Sequence, residues 1–367
     1  MRVVIAGGGT AGHVVPSITV ADRLREAGAS IEFVGSPDGP EASMVPAAGY
    51  RFHAVGATPF RREVSVRSGA APFVALRSVV TCRPIVRVAS AVLGMGGYAS
   101  IAPVVAARSV RVPTILHEQN AIPGLANRLL ARLATAVALT FEDSRSRFPR
   151  SLRMEVTGLP LRPEIREVVD RREELAAEAR RTWDLEPART TVLVTGGSQG
   201  ALHLDQTIAD AIRLLADRSD LQLVVLTGPA HEAVVTMALN RGIDLIVRTA
   251  PFLERMELAL AVADLAIARA GANTIHELAA CSIPSILVPY PHATDDHQEA
   301  NARELERAGA ADVYCDRDLT PEGLARRILS LVADRERRTV MAKAGAAWAK
   351  PDADERVADL VRDVAGP

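Results

Sequence analysis

The segment of residues 268–302 combines a glycine turn, a helix start and polar side chains at spacings suited to nucleotide binding. Gly271 follows an apolar run ending at Ala268 and precedes a predicted helix, whose first-turn N–H groups lack intrahelical partners and attract anions. Glu277, early in that helix, is placed to accept hydrogen bonds from a ribose diol. The segment therefore predicts a nucleotide diphosphate held by backbone dipoles. The alternative is an ordinary strand–helix–strand unit in which Gly271 only permits close packing.

The same pattern of apolar strand, glycine turn and helix occurs twice more, at positions about half the chain apart. Residues 3–8 (VVIAGG) and residues 192–197 (VLVTGG) are apolar strands that end in a glycine pair and lead into a helix. Strands that are almost continuously apolar are typical of parallel sheets covered on both faces. The repeat predicts an α/β chain of two domains, each with its own parallel sheet.

Polar or glycine-rich loops follow three predicted strands of the first half. These loops are residues 7–13 (GGGTAGH), 94–98 (GMGGY) and 117–120 (HEQN). Ligands of open α/β sheets bind beyond the carboxyl ends of the strands, so we expect the three loops to converge. A single buried histidine is usually structural, whereas a convergent set of polar residues at one sheet edge favours a ligand site.

Gly7, Gly9 and Gly12 formally satisfy the dinucleotide-binding pattern G-x-G-x-x-G. The acid that should end the second strand and bind a ribose is missing, because Glu32 lies in the middle of that strand. The sequence therefore does not favour an NAD site.

The composition excludes several classes of protein. Residues 1–150 contain 17 arginines and 9 acidic residues, whereas the remainder is acidic overall. This asymmetry favours an anionic partner for the first domain. A nucleic-acid partner is not predicted, since aromatic residues are only 4% of the chain and no recognised binding motif occurs. Three widely separated cysteines argue against both a disulfide framework and a zinc site.

The segment of residues 61–87 is a candidate membrane contact. It contains six arginines and one acid, with apolar residues between them. Such a surface suits anionic lipid headgroups. The alternative is a solvated helix whose apolar residues face the core. The six arginines are Arg61, Arg62, Arg67, Arg77, Arg83 and Arg87.

Residues 88–107 carry no charge and are numerous enough to cross a bilayer. Glycines at 94, 96 and 97 and a proline at 103 divide this segment into a strand, a loop and a helix start. We therefore predict buried α/β structure and no transmembrane helix.

Across almost its whole length the chain resembles the MurG family of bacterial peptidoglycan enzymes. The matching blocks are GGTAGH (8–13), LGMGGY (93–98), HEQNAIPGLANR (117–128), GGSQGA (196–201), residues 268–302 and, within them, DHQEANA (296–302). The resemblance implies the GT-B glycosyltransferase fold, with two Rossmann-like domains whose parallel sheets face a central cleft. It also implies transfer of N-acetylglucosamine from UDP-GlcNAc to undecaprenyl-diphosphate-linked N-acetylmuramoyl-pentapeptide (lipid I), giving lipid II.

The same resemblance implies an acceptor and membrane-associated domain at residues 1–160 and a UDP-GlcNAc-binding domain at residues 161–350. Residues 351–367 would form a helix that packs back on the first domain. The enzyme would work at the cytoplasmic face of the membrane as a peripheral protein. No cofactor is implied.

Roles carried over by position give a substrate-binding set. Ser198 would contact the donor phosphate, the Leu253 backbone the uracil, and Arg162 the nucleotide. Glu277 would bind the ribose, Gln298 the sugar hydroxyls, and Gly-rich loops such as residues 8–12 the acceptor diphosphate. The remaining members are Ala272, Asn273, Thr274, Ile275 and His276 around the diphosphate and ribose, and Thr10, Ala11, Gly12 and Asn120, which would line the donor from the first domain.

The implied chemistry is displacement at the anomeric carbon by the muramoyl 4-hydroxyl, with inversion. This hydroxyl needs a general base and the leaving UDP needs charge stabilisation. His13 is the leading candidate base, and Glu118 and His117 are the alternatives. Two Asp-x-Asp sequences, at 316–318 and 352–354, lie outside the glycine loops. We therefore predict no metal requirement.

Three residues depart from the family pattern. Ala11 replaces a glycine of the first loop, Leu159 replaces an asparagine near Arg162, and Asp205 stands where asparagine is usual. None of these changes removes a predicted catalytic group.

Two other functions remain open at this point. A UDP-GlcNAc 2-epimerase would share the fold and the nucleotide site but would not need a lipid-facing surface at residues 61–87. A catalytically inert relative would bind the lipid-linked precursor as a scaffold.

Overall fold

The computed structural model describes residues 1–56, 71–197, 200–237 and 244–366, with the side chains of residues 71–73 left out. Its internal contacts divide the chain into two compact units. The first unit is Met1–Arg162 together with the C-terminal segment that begins at Lys350, and the second is Pro163–Ala349. The contacts therefore assign the end of the chain to the first unit.

The first unit is built on a seven-stranded parallel sheet of order β3-β2-β1-β4-β5-β6-β7. Its strands are β1 (Arg2–Ala6), β2 (Ser30–Gly35), β3 (Arg51–Ala54), β4 (Ala91–Gly94), β5 (Thr114–Glu118), β6 (Ala136–Leu139) and β7 (Arg153–Val156). Its helices are α1 (Ala11–Glu26), α2 (Glu41–Ala47), α3 (Ala71–Val86), α4 (Ile101–Ser109), α5 (Leu125–Leu130) and, at the end of the chain, α14 (Ala353–Ala365).

Burial explains why this sheet is parallel. The central strands β1 and β4 are apolar along almost their whole length, and the described residues form one core cluster on each side of the sheet. Only helices on both faces can cover such strands, and a parallel sheet provides them. The uncharged segment of residues 88–107 forms β4, a glycine loop and α4, which confirms the prediction of α/β structure.

The last helix belongs to the core of the first unit. Val357, Leu360 and Val361 of α14 are buried in the same cluster as Ile5 and Leu93. Arg23 of α1 donates a hydrogen bond to the buried carboxylate of Asp354, 3.2 Å away. The helix thus closes one face of the sheet.

The second unit has a six-stranded parallel sheet of order β10-β9-β8-β11-β12-β13. Its strands are β8 (Thr190–Thr195), β9 (Leu221–Leu226), β10 (Ile246–Ala250), β11 (Leu265–Ala268), β12 (Ser285–Leu287) and β13 (Ala311–Val313). Its helices are α6 (Pro163–Thr182), α7 (Leu202–Leu214), α8 (Glu232–Thr236), α9 (Met256–Val262), α10 (Ala272–Ala280), α11 (His297–Arg307), α12 (Pro321–Ala333) and α13 (Arg335–Trp348). The two units therefore repeat the strand–helix alternation that the sequence predicted.

No helix in the described part of the chain is both long enough and apolar enough to cross a bilayer.

Arg172 of α6 ties three segments of the second unit together. Its guanidinium donates to the carbonyl oxygens of Ala261 and Ala263, at the end of α9, and of Cys281, which follows α10. Carbonyl groups at helix ends lack intrahelical partners, and a charged donor satisfies them strongly. One side chain therefore fixes the ends of α9 and α10 relative to α6.

We predict that Arg172→Met lowers the free energy of unfolding of the second unit by about 2–4 kcal/mol, because three carbonyls lose a charged donor. The matched control is Arg171→Met, since Arg171 pairs with the exposed Glu167 and Glu174 of the same helix. Urea denaturation of both variants measures the difference. Equal effects of the two substitutions would contradict this role for Arg172.

Candidate active site

The first glycine loop joins β1 to α1 in a conformation that requires glycine at one position. Gly9 has φ +88°, which disfavours any residue with a side chain. Thr10 then adopts an extended backbone as the N-cap, and its carbonyl accepts the first bond from the His13 N–H. The first turn of α1 contains no acidic residue. This helix start is thus electrostatically suited to an anion.

The loops after β1 and β4 pack directly on each other. A methyl group added to Gly97 would lie 2.4 Å from the carbonyl oxygen of Gly8. One added to Gly96 would lie 3.1 Å from Cε1 of His13. The absence of side chains at these glycines therefore lets the His13 imidazole lie against the β4 loop, half-buried.

Glu118 is buried and engaged by the loop that follows β5. Its carboxylate accepts hydrogen bonds from the backbone N–H groups of Asn120 and Gly124 and from Nδ2 of Asn127, at 2.9, 3.1 and 2.9 Å. Burial raises the pKa of this carboxyl group, and the N–H donors oppose the rise. With both oxygens accepting, Glu118 is suited to organising its loop.

His117 is fully buried, and its tautomer follows from one contact. Nε2 lies 3.1 Å from the carbonyl oxygen of Gly158, so Nε2 carries the proton and donates it. Burial, opposed by the hydrogen bond to Gly158 and assisted by the proximity of His13, lowers the pKa of His117 to about 4. The ring is therefore neutral at physiological pH and anchors the start of the segment that leaves β7.

The turn between β11 and α10, in the second unit, leaves the start of α10 partly accessible. Gly271 is the N-cap of α10 with an extended backbone, no side chain caps this end, and the first turn contains no acid. Ala272, Asn273 and Thr274 are half-buried, so the surface of this turn is partly accessible. The glycine turn and helix start therefore lie where the sequence predicted them, and anion binding there stays a prediction.

His276 in α10 has a structural environment. Its Nδ1 lies 2.8 Å from the Ala272 carbonyl, and its ring packs on Trp348 with centroids 4.6 Å apart. Ile275 is fully buried, whereas Glu277 is half-buried. Glu277 is therefore more accessible than Ile275 and His276, and its carboxylate is the one acidic group of these three residues.

A buried arginine stabilises the turn before α10. Arg269 donates to the carbonyls of Val288 and Pro289 and to the carboxylate of Asp316. Although burial alone would raise it, His203 and Arg269 hold the pKa of the Asp316 carboxyl below its usual range. Asp316, from the first Asp-x-Asp sequence, is therefore the ion-pair partner of the buried Arg269.

Gln298 lies in the first turn of α11, which follows the loop after β12. Its side-chain oxygen accepts a hydrogen bond from the Tyr290 N–H at 3.0 Å, which directs the carboxamide back along the loop. Asn301, fully buried, donates to the Ala270 carbonyl at 3.4 Å and connects α11 to the α10 turn. Leu253 follows β10 and is half-buried.

A buried carboxylate binds the glycine loop that follows β8. Asp205, fully buried in the first turn of α7, accepts a hydrogen bond from the Ala201 N–H at 3.1 Å and contacts His231 Nδ1 at 2.9 Å. Burial raises the pKa of Asp205, and these two contacts oppose the rise. The predicted phosphate contact Ser198 lies outside the described residues.

The arginine-rich segment is described only from residue 71 onward, so Arg61, Arg62 and Arg67 lie outside the described residues. In α3, the side chains of Leu76 and Val80 are 63% and 57% exposed, and Arg77 and Arg83 are exposed beside them. These two apolar residues therefore face solvent and not the core.

Within the described ranges, no group of three or more His, Cys, Asp or Glu side chains is arranged to hold a metal ion.

Sequence reasoning identified the glycine loops and the α10 turn but missed the residues that support them. Arg269 and Asp316 are separated by 47 positions, and Asp205 and His231 by 26. Such pairs have no local pattern. Asn127 was the exception, since it lies within the HEQNAIPGLANR block.

Family models match most of the chain. Residues 3–139 match the glycosyltransferase family 28 N-terminal domain and residues 191–357 the glycosyltransferase family 28 C-terminal domain. The chain is 38% identical to the UDP-N-acetylglucosamine--N-acetylmuramyl-(pentapeptide) pyrophosphoryl-undecaprenol N-acetylglucosamine transferase of Halothermothrix orenii, covering 100% of this chain and 99% of that protein. It is 40% identical to the transferase of the same name from Moorella thermoacetica, covering 98% of each.

Solved structures agree in fold. The crystal structure of MurG from Acinetobacter baumannii is similar with a TM-score of 0.78 and 28% identity, over 99% of both chains. The UDP-GlcNAc 2-epimerase of Neisseria meningitidis is similar with a TM-score of 0.70 but only 11% identity, over 98% of this chain and 99% of that one. The likeness to the epimerase is one of fold alone.

We predict that acidification destabilises the first unit through His117. Its folded-state pKa of about 4 lies below the ordinary value of 6.5, so the unfolded chain takes up a proton that the folded chain does not. Stability is therefore present above pH 6.5 and is lost as the pH falls towards 4. Urea midpoints should fall less steeply over this range in His117→Gln, which does not titrate. Parallel pH profiles of the two proteins would contradict the assignment.

Proposed function

The chain belongs to the MurG family, and from this premise we propose how its residues divide the reaction. It transfers N-acetylglucosamine from UDP-GlcNAc to lipid I and yields lipid II. Full-length relatives at 38% and 40% identity support this function most directly. We assign the acceptor to the first unit and the donor to the second.

The donor diphosphate binds at the start of α10. The glycine turns before α1, α7 and α10 are the candidates, and an acid in the first turn of a helix opposes a bound anion. The first turn of α7 contains Asp205, whereas the first turn of α10 contains no acid. Ala272, Asn273 and Thr274 therefore offer the backbone N–H groups that hold the diphosphate.

The remaining donor contacts follow from the strand ends around α10. Glu277 accepts hydrogen bonds from the ribose hydroxyls, and the carboxamide of Gln298 donates to the sugar hydroxyls. The Leu253 backbone binds the uracil. His276, held by Ala272 and Trp348, and the buried Ile275 support the helix and do not touch the ligand directly. Ser198 and Arg162 complete the nucleotide contacts.

The acceptor's diphosphate binds at the start of α1, whose first turn also lacks an acid. Gly12 and the flanking Thr10 and Ala11 line this helix start. Asn120, which follows β5, lines the same edge of the sheet.

His13 acts as the general base. Among the three candidates, the carboxylate of Glu118 is occupied by three N–H donors, and the ring of His117 is buried with its proton on Nε2. His13 is half-buried at a helix start beside two glycine loops. It takes the proton from the muramoyl 4-hydroxyl as that oxygen bonds to the anomeric carbon.

The bond from the anomeric carbon to the UDP oxygen breaks as the new bond forms, so the configuration inverts. The leaving diphosphate carries the negative charge, and the N–H groups and dipole of α10 stabilise it. This helix start supplies the stabilisation that a metal ion provides elsewhere, and we propose that the reaction is metal-independent.

The first unit docks on the cytoplasmic face of the membrane as a peripheral protein. The exposed Leu76 and Val80, with Arg77 and Arg83 around them, support this assignment in the described part of the segment. Apolar side chains enter the headgroup region while arginines meet anionic lipid. Arg87, which follows α3, is exposed as well.

The direct test incubates the purified protein with UDP-GlcNAc and a lipid I analogue. We expect a lipid-linked disaccharide and free UDP, at a rate that EDTA does not change. Product analysis by mass spectrometry checks the first statement and initial rates check the second. A protein that binds both ligands without turnover would be a scaffold, and conversion of UDP-GlcNAc to UDP-N-acetylmannosamine would indicate an epimerase.

Two substitutions separate the roles of the units. His13→Ala should lower kcat about 10²-fold or more, the usual size of a general-base contribution, and leave UDP binding unchanged. Glu277→Ala should raise the Kd for UDP about tenfold, because a hydrogen bond between a charged group and the ribose is lost. Calorimetry and initial rates distinguish the two effects. Loss of UDP binding in His13→Ala would contradict the division.

A further inference from the structure

A buried carboxylate joins the first glycine loop to the loop that follows β2. Glu41, the first residue of α2, has only 1% of its surface exposed. Its Oε2 accepts a hydrogen bond from the Gly9 N–H at 3.0 Å, and its Oε1 accepts one from the Ser36 N–H at 2.9 Å. One side chain therefore satisfies backbone donors at the carboxyl ends of two neighbouring strands.

Three glycines provide the space for this carboxylate. A methyl group at Gly8 would lie 2.0 Å from Oε1 of Glu41, and one at Gly39 would lie 2.2 Å from Oε2. At Gly35, a methyl group would lie 2.6 Å from Cγ of the same side chain. None of the three has the left-handed backbone that would itself demand glycine. Their lack of side chains is explained by the position of Glu41.

The charge on this carboxylate is held by backbone groups. Within the described ranges, no Lys, Arg or His lies within ion-pair distance of Glu41. A buried carboxylate needs such donors, and Gly9 and Ser36 supply them. The loop conformation and the buried charge consequently depend on each other.

The contacts continue from Glu41 towards His13. The carboxylate fixes Gly9, the Gly8 carbonyl packs on Gly97, and the His13 imidazole lies against Gly96 and Gly97. The Gly9 N–H is already engaged, and a negative charge lies beneath it. An incoming diphosphate is therefore directed to the first-turn N–H groups of α1 and away from Gly9.

We propose that Glu41 is a positioning residue for the acceptor: it sets the shape of the first glycine loop and confines the acceptor's diphosphate to the start of α1. This inference rests on the proposed function, in which the first unit binds the acceptor. Glu41 itself touches neither substrate. Its loss should impair acceptor binding and leave donor binding intact.

The test uses two variants of the full-length protein. Glu41→Gln removes the charge, and its amide nitrogen cannot accept the second N–H. Gly39→Ala leaves Glu41 in the sequence but displaces its carboxylate. For each variant we expect KM for the lipid I analogue to rise about tenfold, the loss typical of hydrogen bonds to a charged group. KM for UDP-GlcNAc should stay within about twofold of the wild-type value.

Glu32→Gln is the matched control. Glu32 is also a buried carboxylate of the first unit, on β2, but it binds Arg2 and His53 and not the glycine loop. If Glu32→Gln raises KM for the acceptor as much as Glu41→Gln does, the effect is general destabilisation and the proposal is wrong. Thermal unfolding of all three variants measures that destabilisation.

Other outcomes also decide the question. Equal changes in both KM values, or an unchanged KM for the acceptor, would overturn the positioning role. If neither Glu41→Gln nor Gly39→Ala folds while Glu32→Gln does, Glu41 is a structural residue and the proposal fails. Failure of the proposed function itself is distinguishable, because the wild-type protein would then form no product.

Discussion

Backbone N–H groups at strand-to-helix turns must find an acceptor, and this requirement organises both units. Where the chain supplies its own carboxylate, the turn is complete: Glu41 takes the Gly9 N–H, Asp205 takes the Ala201 N–H, and Glu118 takes those of Asn120 and Gly124. No acidic side chain lies in the first turn of α10, which we propose as the site of the donor's diphosphate. Acidic side chains thus bind backbone N–H groups at several turns, whereas the first turns of α1 and α10, our proposed anion sites, contain no acid.

Burial also distinguishes the three titratable candidates His13, His117 and Glu118. His117 and Glu118 are adjacent in sequence and follow the same strand, yet each is engaged by the backbone. His13 differs because it lies at a helix start beside glycines, where an imidazole is only half-buried. Residue type made all three candidates, and the environment of each distinguishes His13 from the other two.

The sequence was sufficient for the features that depend on local pattern. Apolar runs ending in glycine predicted two parallel sheets, and Gly271 followed by a helix predicted the α10 turn. It could not predict contacts between distant residues. The Gly9–Glu41 bond spans 32 positions, and the bonds of Arg172 span 89 to 109. These contacts exist only because parallel strands bring distant loops to the same edge, and no periodicity encodes them.

The return of α14 to the first unit has a consequence for biosynthesis. Val357, Leu360 and Val361 pack in the same core cluster as β1 and β4, so the part of this face that α1 and α2 do not cover stays uncovered until the final helix is made. The second unit, residues 163–349, is complete in chain order before then. On the ribosome, where domains usually fold in the order of their synthesis, the unit encoded first is therefore finished last. A chain truncated before α14 would leave the ribosome with an intact second unit and an apolar surface on the first.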